Sequence, residues 1–205
     1  LAASVAQIDD VLASLVKTLS RPTFGDLINA AQQAWADLHE RLQVGLAVGP
    51  TQALAVLSGL DEAAERLLDR AERLTSVLEG AGLAPSLHVI NTAARQRMLS
   101  QRLAKFALLT AAMPVGVPPF APQVAETADA FERGLAYLRE IPLSTPEIRQ
   151  ALSIAESAWQ RMLDGAGEAR TPQGRALVAS ASEELLAQFD HLTGEYERGM
   201  RMLIG

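Results

Sequence analysis

The chain has 205 residues, 49% of them hydrophobic and only 4% aromatic, with a formal net charge of −6. That is long and apolar enough for one or two cored domains and excludes intrinsic disorder, while the acidic balance argues against nucleic acid, whose phosphates need a broad basic surface. Cysteine is absent, so disulfides, thiolate catalysis, thiolate metal sites and haem attachment are excluded. Ala, Leu, Glu, Gln and Arg recur throughout, which is the composition of helices rather than sheets. Apolar residues at spacings of three and four in VAQIDDVLASLVKTL predict a first helix ending near Ser20, where Arg21 and Pro22 restart the chain. A second helix, FGDLINAAQQAWADLHERL, stops around Gly45 and Gly49, and a third runs from Pro50 to Gly80 and Gly82. A fourth covers about Ser86 to Ala112. The run from Phe106 to Ala125 is uncharged, but Pro114, Pro118, Pro119, Pro122 and Gly116 forbid a continuous membrane span, and its second half reads as a loop. A fifth helix holds AETADAFERGLAYLREI; Ser144, Thr145, Pro146 and Glu147 open a sixth, and Thr171 with Pro172 a long seventh.

Helices one to three resemble helices five to seven. Ala34-Trp35 recurs as Ala158-Trp159, Pro22 as Pro146 and Pro50 as Pro172, at separations of 122 to 124 residues. The expected architecture is therefore all-α: an up-and-down four-helix bundle over residues 86–205, preceded over residues 1–82 by a three-helix partial repeat lacking its first helix. Because Leu1 falls inside an amphipathic pattern, with neither an initiator Met nor a secretory leader, the chain reads as a piece of a longer polypeptide.

Catalytic and metal chemistry find little support. A di-iron bundle needs Glu-x-x-His on two helices, whereas Ala36, Pro85 and Gln188 stand three residues before His39, His88 and His191. No phosphate loop or nucleophile elbow occurs, and neither enzyme activity nor a cofactor is expected. Trp35 and Trp159, each mid-helix among alanines, read as core anchors.

The fourth helix is the informative one. No Asp or Glu lies between Glu79 and Glu126, yet Arg95, Arg97, Arg102 and Lys105 all do, and removing them takes the rest of the chain from −6 to −10. At about 100° per residue, Leu99, Leu103 and Phe106 gather on one side, the expected core face. Nearly opposite runs a second stripe of Ile90, Ala93, Arg97, Ser100, Ala104 and Leu108, whose small side chains would admit another helix. Arg95 and Arg102 lie between the two. Fixed guanidinium donors on an acidic body suit a planar oxyanion; the competing reading is that these arginines pair with acids of neighbouring helices.

INTAARQRMLSQRLAKF resembles the signature that opens the PilJ-type domain, the N-terminal module of type IV pilus methyl-accepting chemotaxis transducers, and is similar to the P-box of nitrate/nitrite sensor kinases. The match covers Ile90, Asn91, Ala93, Arg95, Gln96, Arg97, Met98, Leu99, Ser100, Gln101, Arg102 and Ala104, with Ala94 standing where the family usually has Gly. The resemblance implies a periplasmic sensor of a small anion, nitrate- or nitrite-like, without catalysis. It also implies a homodimer in which an arginine of each copy, here Arg97, holds the anion, with Arg102, Ser100 and Arg95 in support. A structural or protein-interaction module without a small-molecule ligand is the alternative.

Overall fold

The computed structural model describes residues 2–47, 50–81, 84–113, 120–142 and 145–204. These form seven helices and no strand: α1 (Ala2–Thr18), α2 (Arg21–Ala47), α3 (Pro50–Gly80), α4 (Ala84–Ala112), α5 (Ala121–Glu140), α6 (Pro146–Gly167) and α7 (Pro172–Ile204). The protein is an all-α helical bundle protein, as its composition predicts. It divides into two compact units, Leu1–Leu83 and Ala84–Gly205, so the second begins two residues ahead of the predicted start at Ser86.

The helix ends follow local chemistry, with one correction. The expected fifth helix starts at Ala125, yet α5 already begins at Ala121, with Pro122 in its first turn. There the missing N–H has no intrahelical acceptor to lose, and the fixed φ suits a helix. The remaining prolines of the expected loop, Pro114, Pro118 and Pro119, lie outside the described residues. At the start of α6, Thr145 Oγ1 accepts the Ile148 backbone N–H at 3.3 Å with Pro146 at the first helical position. The Glu147 carboxyl is held below its usual range by its own backbone N–H and then by the Thr145 hydroxyl. Ser144 is outside the described residues.

In the second unit α4 lies between α5 and α7, and α6 lies along α7. The backbones of α5 and α6 have little direct contact, and large side chains bridge them. Phe131 stacks on Trp159 with ring centroids 3.8 Å apart, Phe189 meets Phe131 edge-on at 5.5 Å, and the Trp159 indole N–H donates to Glu132 Oε1 at 3.4 Å. Tyr196 of α7 is buried in this core and donates its hydroxyl to the Leu138 carbonyl at 3.4 Å.

Burial, with Tyr137 nearby, pushes the Tyr196 phenol up from 10.0 to about 12. As pH rises, the unfolded chain loses this proton first, so the stabilisation is complete below pH 10 and is lost as pH climbs towards 12. Urea midpoints measured through that window should fall, and Tyr196→Phe should flatten the fall; an equally steep fall in the variant would place the alkaline sensitivity elsewhere.

In the first unit α3 packs on α2, and α1 rests on α2 without packing against α3 among the described residues. Among the described residues its buried hydrophobic side chains are Ile28, Ala31, Trp35, Ala63 and Leu74. The Trp35 indole N–H donates to Asp9 Oδ1 at 2.7 Å, tying α2 to α1. Asp37 accepts Arg66 at 2.6 Å and Arg41 at 2.8 Å, and these hydrogen bonds hold its carboxyl below the usual range.

Candidate functional site

After Pro85, α4 contains neither Pro nor Gly and is rich in Ala, Leu, Gln and Arg, which sustains 29 residues of helix. Val89, Ala93, Gln96, Leu99, Ser100, Leu103, Ala104, Phe106 and Ala107 are all buried. At about 100° per residue they span close to half of the helix circumference. This corrects the two-faced reading. Leu99, Leu103 and Phe106 form one margin of a single buried arc, and Ala93, Ser100 and Ala104 form the other. The small side chains do admit another helix, but it is α7 of the same unit, so this stripe is no free dimer surface.

The polar residues of the motif fasten both flanks of the arc. Towards α5, Gln96 Nε2 donates to the Phe131 carbonyl at 2.9 Å, and Arg102 Nη1 donates to Thr127 Oγ1 at 3.3 Å. The Thr127 hydroxyl in turn donates to the Gln123 carbonyl at 2.6 Å. Towards α7, Gln101 Nε2 donates to the Ser182 carbonyl at 3.0 Å, and Arg97 Nη1 meets Asp190 Oδ1 at 2.8 Å. Two glutamines five residues apart thus each hold a main-chain carbonyl of a different neighbour, a grip that resists sliding of α4 along either.

Room for the first grip is made by Gly134 of α5. A Cβ there would collide with the Gln96 amide nitrogen and lie 3.0 Å from its carbonyl carbon. Gln96 is 1% exposed, and its Oε1 has no hydrogen-bond partner among the described residues.

The four residues read from the sequence as ligands do not converge. Arg97 is at the α7 margin and paired, Arg102 turns to α5, and Arg95 is exposed. Ser100 is fully buried and donates its hydroxyl to the Arg97 carbonyl at 2.8 Å, away from the guanidinium. Arg102 and Lys105 also lie over the Phe106 ring, 5.3 Å and 4.3 Å from its centroid. Sequence reasoning gave no roles to Gln96, Gln101, Gly134 or Asp190. Among the described residues no cluster of His, Asp and Glu could hold a metal, and no helix is long and apolar enough to cross a membrane.

Four helices organised around one motif-bearing helix, with a solvent-reachable arginine at its edge, define the second unit as a helical bundle. The family model described as type IV pili methyl-accepting chemotaxis transducer N-term, PilJ, matches residues 84–190, just over half of the chain, and the chain belongs to that family. The match starts where α4 and the second unit start. No curated protein and no solved structure matches the chain. The protein therefore carries a sensory signal-transduction module.

Proposed function

We propose that the second unit senses a small oxyanion of the nitrate or nitrite kind in the periplasm, and that the anion works by competing with Asp190 for Arg97. One observation carries this reading. The Arg97 side chain is 38% exposed and its partner Asp190 71% exposed. Solvent reaches such a pair, and exposed ion pairs contribute only about 0–1 kcal/mol, so an incoming anion displaces little. A planar oxyanion accepts two parallel guanidinium N–H bonds and leaves Asp190 unpaired. That releases α7 from α4 at this margin, and a small helix shift is enough to carry a signal. A second arginine on the same anion comes from a partner copy meeting the solvent side of the α4–α7 margin, because Ala93, Ser100 and Ala104 are already covered.

Calorimetric titration of nitrate and nitrite tests the reading. Asp190→Asn should tighten binding by removing the competitor, Arg97→Ala should abolish it while changing stability by less than about 1 kcal/mol, and Arg97→Lys should recover little. An Arg97→Ala protein that binds as the parent does would end the anion reading. The second reading, a structural or protein-interaction module, is favoured by Arg97 already having a partner. It predicts no heat of anion binding from the parent or from Asp190→Asn.

A further inference from the structure

The two units share a buried pattern. Ile28, Ala31 and Trp35 on α2 stand 124 residues before Leu152, Ala155 and Trp159 on α6, and Ala63 and Leu74 on α3 stand 122 before Leu185 and Tyr196 on α7; all ten are buried. The indole hydrogen bond fixes the register of the remaining helix, since Trp35 reaches Asp9 and Trp159 reaches Glu132, 123 positions apart. At that offset Ile8, Leu12 and Leu15 of α1 correspond to Phe131, Leu135 and Leu138 of α5. The α5 residues are buried, whereas those of α1 are half-buried, and the same holds for Leu67 of α3 against Phe189 of α7. What distinguishes the two settings is a helix. The second unit has α4 against both α5 and α7, and no described helix of the first unit spans α1 and α3.

We propose that the open α1–α3 face is the seat of a fourth helix, so that residues 1–82 are three helices of the same four-helix unit. The occupant is an amphipathic helix of the same polypeptide, placed ahead of α1 as α4 is ahead of α5. It is not a plain copy of α4. Val11, 52% exposed, stands 123 residues before Gly134, the position that makes room for Gln96. A valine fills that room, so the docking helix carries a small apolar side chain where α4 carries glutamine. Nothing in this inference depends on an anion at Arg97.

The test joins a second copy of the 84–120 sequence, with its Gln96→Ala change, ahead of residue 1 of the full chain and follows amide hydrogen exchange. Amides of residues 8–15 should slow by about tenfold or more, since a covered helix opens less often. Val11→Asp in the fusion should restore the parent rates there and leave the second unit unchanged. Unaltered exchange in the fusion would overturn the proposal, and so would equal slowing by a segment of the same composition in scrambled order. A parent protein that sediments as a dimer with α1 already protected, and that Val11→Asp turns into a monomer with α1 exposed, would also overturn it by giving the face to a second copy.

Discussion

Replacing Trp159 by alanine is expected to destabilise the second unit by about 3–5 kcal/mol. The side chain is 1% exposed, stacks on Phe131 at 3.8 Å and spans the seam between α5 and α6, whose backbones have little direct contact. Its removal deletes the packing that closes the ring of helices, and an alanine cannot bring α5 and α6 together because α4 and α7 hold them at their present spacing. A unit of this size has only about 5–15 kcal/mol in total, so the variant should unfold at a much lower urea midpoint. Trp159→Phe keeps a ring against Phe131 and should lose less. Trp35→Ala should also lose less, because Trp35 is 7% exposed and its ring partner is the half-buried His39. Urea titrations followed by circular dichroism rank the three, and a loss below about 1 kcal/mol at Trp159 would contradict its place as the anchor of the seam.

Gly134→Ala is expected to destabilise the same unit by about 1–3 kcal/mol through overpacking. The added methyl takes the position of the Gln96 amide nitrogen, and a side chain so fully buried has no route to solvent. Gln96 must then give up the Phe131 carbonyl, leaving amide groups buried without partners. Gln96→Ala alone should also destabilise, by losing that bond and opening a small void. The double variant should be more stable than the sum of the two predicts, by about 1 kcal/mol or more, because the new methyl enters the vacated space. Strict additivity in such a cycle would show that the glycine and the glutamine do not depend on each other.

The number and order of helices were legible because proline and glycine punctuate the chain at nearly every junction. Where a proline lies inside a first turn, as Pro122 does, the same signal misplaces the boundary. The buried face of α4 was read too narrowly for a related reason. A helical wheel weights large apolar side chains, so it selects Leu99, Leu103 and Phe106. A helix gripped by two neighbours also buries Ala93, Gln96, Ser100 and Ala104, chosen for smallness or for hydrogen bonds rather than for apolar area. The four cations could be read from the sequence, but the partner of Arg97 could not, for Asp190 lies 93 residues away and only the fold brings it near. The motif itself was recognisable because its residues sit on one helix; the glycine that accommodates it sits on another and carries no local sign.

The grips of Gln96 and Gln101 end on main-chain oxygens of Phe131 and Ser182. Every residue type presents such an oxygen, so neither bond reads the identity of the side chain carried by the residue that accepts it. For these two bonds the identity of the side chain matters on α4, whereas on the far side only the course of the backbone counts and, at Gly134, the room left for Gln96. A change of side chain at Ser182 can thus leave its bond to Gln101 intact, whereas a larger side chain at Gly134 cannot leave Gln96 where it is.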